Sequence, residues 1–271
     1  MTLTETTRAS TGRQMVNKVP EVTIYFWIIK VLCTTVGESV ADYINSTLGL
    51  GLTHTTWLFL AALAAALVAQ FRLNRYVPGV YWLAVVLISV VGTLLTDNLT
   101  DGHNVPLRLT TAVFALLLVA VFGIWHRRER TLSIHSIITT PRESFYWLTV
   151  LVTFALGTAA GDWTLDLTGW GPGLSVLLPT GLIAAVTLAW KFGLNPVLSF
   201  WIVYILTRPL GANLGDFLGS SHAHGGVALG TLGTSLLFLT TILAIVVFLT
   251  KTKKDRTESD PVDEDGRKAS R

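Results

Sequence analysis

The sequence predicts an all-α integral membrane protein of eight transmembrane helices, built as four parallel two-helix repeats. Three observations predict it: the composition, a spacing that recurs four times, and the way charge divides between the connectors. The chain has 271 residues, of which 51% are hydrophobic and only 14% charged; soluble domains carry about 25% charged residues. Its mean hydropathy of +0.57 points the same way. The formal net charge of +3 says little by itself, because placement matters more. Nothing in this balance calls for a nucleic-acid partner.

The repeated spacing is an aromatic–Trp pair, a Gly ten residues after the Trp, and an Asp five residues after the Gly. The sets are Phe26-Trp27, Gly37, Asp42; Tyr81-Trp82, Gly92, Asp97; Tyr146-Trp147, Gly157, Asp162; and Phe200-Trp201, Gly211, Asp216. Successive copies begin 55, 65 and 54 residues apart. Periods of this size mark internal repeats. The repeats fall at about 18–72, 73–130, 131–191 and 192–250, and together form the 18–250 membrane domain. A polar N-terminus, 1–17, precedes them, and a charged tail, 251–271, follows and reads as disordered.

Each repeat supplies two apolar spans. In order they are 21–44, 54–71, 79–99, 107–125, 143–165, 173–190, 197–218 and 227–250. Most have the ~17–25 residues needed to cross a bilayer core. Their Leu- and Ala-rich runs lack the alternation of a membrane β-barrel. A proline precedes each Trp (Pro20, Pro78, Pro141 and Pro196) and suits a first helical turn, where no intrahelical donor is lost. The first 17 residues lack an apolar stretch of signal-peptide type.

The connectors after the even spans hold Arg72 and Arg75; Arg127, Arg128 and Arg130; Lys191; and Lys251, Lys253 and Lys254. Those inside each repeat hold almost no base, Arg108 excepted. The positive-inside rule therefore places both termini and every inter-repeat loop in the cytoplasm of a multi-pass inner (plasma) membrane protein. All four repeats then cross in one direction. Each Trp falls near the inner interface and reads as an anchor there.

A helix turns about 100° per residue, so positions four apart share a face. Positions 3, 7, 11 and 15 after each Trp give four columns. They are Lys30, Thr34, Glu38, Asp42; Val85, Ser89, Thr93, Asp97; Val150, Phe154, Thr158, Asp162; and Tyr204, Arg208, Ala212, Asp216. Each Asp stands roughly 22 Å above its Trp, in the outer third of the hydrocarbon, and each Gly about 15 Å up. Carboxylates in that setting need a cation, a base, a proton or water. The columns hold five acids (Glu38, Asp42, Asp97, Asp162, Asp216) against two bases, Lys30 and Arg208.

Glu38 and the four Asp are thus the candidate ion-binding set. Lys30 and Arg208 are their charge partners, and Thr34, Ser89, Thr93 and Thr158 the polar lining. Lys30 also has the length to snorkel to the inner interface. The hydroxyls also have the option of bonding a carbonyl of their own helix, and Gly37, Gly92, Gly157 and Gly211 of letting helices approach closely. His222 and His224 form a weaker His-x-His pair in the last outer loop. Cys33, the single cysteine, reads as packing.

The segment Lys18-Val19-Pro20-Glu21-Val22-Thr23, followed by Phe26-Trp27 and Gly37-Glu38, resembles the opening signature of a bacterial membrane-protein family defined by a tandem repeat of unknown function. The resemblance covers about 18–250. It implies an uncharacterised polytopic inner-membrane protein and brings no substrate, cofactor or catalytic residues. Four-fold symmetry is broken in charge: only the first repeat has Glu after its Gly, and only the fourth has an Arg in its column.

The residues point to a small-cation transporter or exporter, with a divalent ion of the Mg²⁺ or Mn²⁺ kind, or protons, as cargo and no resident cofactor. Hard carboxylate and hydroxyl oxygens suit such ions. A non-transporting scaffold or sensor is the alternative. An intramembrane aspartyl protease is a minor one: Gly161-Asp162 and Gly215-Asp216 carry part of that pattern, but Ala41 and Thr96 stand in the first two repeats. No phosphate loop, dinucleotide fingerprint or serine elbow occurs, so an enzyme is not expected. Sequence leaves the oligomeric state open.

Overall fold

The computed structural model describes residues 17–256, apart from the side chains of Ser46, Pro172 and His224. The residues before 17 and after 256, which hold most of the polar N-terminus and of the charged tail, lie outside the described residues. The helices are α1 (Ile24–Asp42), α2 (Leu52–Arg72), α3 (Pro78–Asp97), α4 (Leu107–Glu129), α5 (Thr140–Thr168), the four-residue α6 (Pro172–Ser175), α7 (Leu177–Lys191), α8 (Pro196–Gly219) and α9 (Gly230–Thr252). With α6 and α7 taken as one broken span, eight helices among the described residues are long and apolar enough to cross a membrane.

Local chemistry explains the ends. The Thr23 hydroxyl accepts from the Phe26 amide and caps α1, and Asn195 Oδ1 accepts from Val197 and Leu198 at the start of α8. Pro78, Pro141 and Pro196 sit in first turns, as the spacing predicts, where their fixed φ suits a helix. Pro20 differs: it lies before α1, outside any helix. Gly169, at φ +62°, stops α5 in the left-handed conformation that glycine adopts freely. After Asp42 and Asp97 the first two inner helices widen into π turns, Tyr43–Thr47 and Asn98–Gly102.

The helices form two layers. α1, α3, α5 and α8 make an inner ring: α1 packs on α3, α3 on α5, α5 on α8, and α8 returns to α1. The two helices of a repeat are not each other's main partners. Each outer helix instead packs against the inner helix of the next repeat: α2 on α3, α4 on α5, α7 on α8, and α9 around to α1. The outer helices are buried over only 11–33% of their apolar windows, against 44–67% for the inner ones. Their exposed side chains are large and apolar, Leu116, Val119, Leu188 and Leu243 among them. That is the surface expected of helices that meet lipid.

The recurring motif is what closes the ring. Each motif glycine faces the residue seven places after the Trp of the next repeat. Gly37 meets Ser89, Gly92 meets Phe154, Gly157 meets Arg208, and Gly211 meets Thr34. A methyl group at any of the four would collide with that neighbour. Close approach lets side chains bond across the helices: Thr35 donates to Gly211 O at 2.6 Å, and Thr96 to Ala155 O at 3.1 Å.

The aromatics repeat the pattern one level away. Phe26 packs on Trp82, Tyr81 on Trp147, Tyr146 on Trp201, and Phe200 on Trp27, with ring centroids 5.5, 5.4, 6.3 and 5.6 Å apart. Trp82, Trp147 and Trp201 are therefore buried between helices, and Trp27 is half-buried. The structure gives the four Trp a packing role: each ring packs against an aromatic side chain of a neighbouring inner helix.

Two terminal segments close the Trp end. Residues 17–20 form a buried strap, with Lys18 donating its amide to Ile137 O at 3.2 Å. Past α9, Asp255 accepts the Glu21 amide on its carbonyl at 2.9 Å and the Tyr76 hydroxyl on its carboxylate at 2.6 Å. Ordered chain thus reaches beyond the expected boundary at 250. Burial pushes the Asp255 carboxyl above its ordinary range, and burial together with Asp255 pushes the Tyr76 phenol up. Tyr76 therefore remains a donor at neutral pH.

Two outcomes follow from this packing. Gly92→Ala should lower stability by about 1–3 kcal/mol, because its methyl group would meet Phe154 Cβ at 2.8 Å inside a closed ring. Gly123→Ala, with nothing within 4 Å, should change it by no more than about 0.5 kcal/mol. Thermal unfolding in detergent compares the two. For the tail, a carboxyl whose folded-state pKa is raised favours docking below its ordinary range and loses it as pH rises through the raised value. A spin label at residue 256 should be less mobile at pH 5 than at pH 8, and Tyr76→Phe, which removes the bond that holds this carboxyl down, should strengthen that dependence.

Candidate functional site

The predicted columns stand on the four inner helices as a stack of layers graded in burial. Nearest the Trp end are Lys30, Val85, Val150 and Tyr204, all fully buried. The next layer, at the glycine crossings, holds Thr34, Ser89, Phe154 and Arg208, each at 0% exposure. Above it are Glu38 with its side chain 19% exposed, and Thr93, Thr158 and Ala212, which are buried. In the last layer Asp42 and Asp216 are exposed and Asp97 and Asp162 half-buried. The stack is open at the Asp end and closed at the Trp end.

Arg208 is the centre of the stack. Its guanidinium bonds Glu38 and the Thr93 hydroxyl through one nitrogen, and donates to Thr34 O at 3.2 Å through another. Thr93 also donates to Glu38 at 3.3 Å and to Ser89 O at 3.2 Å. A charge-assisted network of this kind is what lets a fully buried guanidinium persist. The site therefore draws on three repeats: Thr34 and Glu38 from the first, Thr93 from the second and Arg208 from the fourth. Ser89 spans the crossing by donating to Thr34 O at 3.5 Å, whereas Thr158 satisfies itself on Phe154 O within its own helix.

Lys30 turns inward. Its ammonium donates to Thr207 Oγ1 at 3.2 Å and lies over the rings of Phe154 and Tyr204, 3.9 and 4.2 Å from their centroids. Ring faces attract such a cation. The snorkelling option is thereby excluded, since the Trp end is packed with aromatics. Beyond Lys30, the Tyr81 and Tyr146 hydroxyls pair at 2.5 Å.

The four aspartates line a mouth above this core. Glu38 lies within electrostatic reach of all four. Among the described residues none of the four makes an ion pair. No three His, Cys, Asp or Glu side chains among the described residues come together as a metal cage. The structure brings Glu38 and Arg208 into contact and leaves the Asp set apart as an open ring. His222 is occupied by Gly226 O at 3.0 Å; the His224 side chain lies outside the described residues. Gly161 and Gly215, which precede two of the aspartates, serve as close-contact points against Pro209 and Thr35.

Three polar groups escape sequence reasoning: Lys18, Gln70 and Glu143. Lys18 Nζ pairs with Glu143 Oε2 at 2.5 Å with both side chains 1% exposed, and Gln70 Nε2 donates to Glu143 Oε1 at 3.1 Å. Glu143 stands seven residues before Val150, two turns down the same helical face. Extending the column backwards by seven would have found it.

Fold and site together give an all-α protein with a polar axis and, among the described residues, eight helices long and apolar enough to span a membrane. A family model described as Repeat of Unknown Function (DUF347) matches residues 25–76, 80–131, 145–192 and 199–255, well over half of the sequence. The chain belongs to that family. No curated protein matches it. No solved structure matches it either.

The two partners of the central pair should not be equally replaceable. Glu38→Ala leaves Arg208 buried with no acid, and breaking a buried pair this way costs about 3–5 kcal/mol. Arg208→Met leaves Glu38, which water at the mouth already reaches, and should cost less. Thermal unfolding of the two variants and of Glu38→Leu/Arg208→Met should rank Glu38→Ala as the least stable.

Proposed function

We propose that this protein moves a small cation across the bacterial inner membrane, with a divalent ion of the Mg²⁺ or Mn²⁺ kind as the substrate its oxygen-lined mouth suits. The observation that carries this reading is the Arg208–Glu38–Thr93 network at the floor of a mouth ringed by Asp42, Asp97, Asp162 and Asp216. A ring of carboxylates concentrates cations. Glu38 lies within electrostatic reach of every member of the ring, and Arg208 holds it. An arriving cation competes with the guanidinium for Glu38. Arg208 thus fills the place of the ion when none is bound, and an exchange of proton for cation on the released carboxylates completes a cycle.

The basic connectors give the orientation in this reading. Arg72, Arg127, Arg128, Lys191 and Lys251 lie at or after the ends of the outer helices, beside the starts of the inner ones. The positive-inside rule makes the Trp end cytoplasmic and gives all four repeats one direction across the membrane.

One observation favours a second reading, a membrane scaffold or sensor without transport: no three acid ligands converge among the described residues. There the acids would fix helix packing and the charged tail would meet a partner.

Efflux and uptake of divalent ions in sealed vesicles separates the two. Wild type should move one ion down an imposed proton gradient. Glu38→Gln and Asp42→Asn should lose that movement about a hundredfold or more per molecule in the membrane, with Asp42→Asn, which breaks no ion pair among the described residues, reaching normal membrane levels. Absence of movement in wild type, under both a proton gradient and a membrane potential, would transfer the case to the scaffold.

A further inference from the structure

We propose that Lys18 and Glu143 are the gate of the Trp end, the pair that keeps the polar axis closed on that side. Three observations carry it. First, the stack is open at one end only: its Asp layer reaches solvent while its Lys30 layer is fully buried. Second, Glu143 lies seven residues before Val150 on the same face of α5, two turns nearer the Trp end, where Lys18 and the end of α2 meet it. Third, the pair is a staple between separate parts of the ring. Lys18 comes from the strap before α1 and also donates to Phe71 O at 3.3 Å at the end of α2, while Glu143 belongs to the first turn of α5 and accepts from Gln70 of α2.

A salt bridge with both partners 1% exposed is a weak stabiliser compared with well-packed apolar side chains, yet breaking it strands a buried charge. Such a pair is therefore suited to two discrete arrangements, both charges joined or both hydrated, with little in between. Hydrating them frees the strap from α2 and α5 together. Asn17 Nδ2 and Gln70 Oε1 are buried without hydrogen-bond partners beside the pair, so water admitted there gains bonds at once. The gate deepens the transport reading and rests on it for its purpose: a path that opens alternately to two sides needs a closure at each.

The chain carries its own reporter. Cys33, its only cysteine, is fully buried one turn from Lys30 and within electrostatic reach of Lys30 and Tyr204. A membrane-impermeant maleimide is applied to full-length protein from either side, in right-side-out and inverted vesicles, with no transported ion present. Wild type should resist labelling from the Trp side. Lys18→Ala and Glu143→Gln should each raise the Trp-side rate about tenfold, and the reversed pair Lys18→Glu/Glu143→Lys should restore protection.

Unchanged rates in both single variants overturn the gate. If the single variants do not fold, the reversed pair decides: a folded, protected reversed pair supports the gate, and a reversed pair that is unprotected or also unfolded overturns it. The readout is independent of transport. Raised labelling with no ion movement in wild type would leave the gate standing and sink the transport reading. Ion movement with unchanged labelling would do the reverse.

Discussion

Closure of the inner ring depends on four points of contact between helix backbones, one at each motif glycine. Helices brought this near cannot place a side chain at the crossing, so the residue there must be glycine and its neighbour must fill the space from the other side. The neighbour is always the residue seven places after the next Trp, and in the fourth repeat it is Arg208. The same contact that closes the ring therefore carries the guanidinium to the axis and buries it. Aromatic–Trp pairing one level away fixes the rotation of each helix, so every column keeps the same face inward.

Packing each outer helix on the following repeat has an energetic consequence. Each inner helix is covered mainly by its neighbours in other repeats, and α1 gains its second side only when α8 and α9 return to it. Stability is therefore shared around the ring, as in other repeat architectures, but without free ends. α9 in particular completes the wall beside α1, and the short strap and Asp255 then bind the two ends of the chain together at the Trp end.

The distribution of charge follows the openness of the stack. Where water reaches, at the Asp layer, four carboxylates stand without ion-pair partners among the described residues. Where it does not, each charge has a specific answer: Arg208 takes Glu38, the Thr93 hydroxyl and the Thr34 carbonyl; Lys30 takes two aromatic faces and Thr207; Lys18 takes Glu143. Burying an ion is costly enough that only the last kind of arrangement survives in the closed half. The departures from four-fold symmetry lie where this matters. One Glu and one Arg meet across the α1–α8 seam, and a uniform ring of either would carry unpaired charge.

The sequence by itself determined the class of fold, the number of apolar spans, the period, and the four columns that face one another. These depend on helical periodicity and hydropathy, which are local properties of the chain. Asp42, Glu38, Lys30 and Arg208 were legible for the same reason: a charge inside an apolar run announces itself. Only the tertiary structure decided which residues touch. It showed that outer helices pair with the next repeat, that three of the four Trp are buried packing elements, that Lys30 turns inward, and that Glu38 chooses Arg208 while the aspartates remain apart. It also revealed Lys18 and Glu143, whose separation of 125 residues hides their pairing from any local pattern. The reason is common to all of these. Partner choice is set by ring closure, a property of four helices at once, and no single repeat contains the information about what stands beside it.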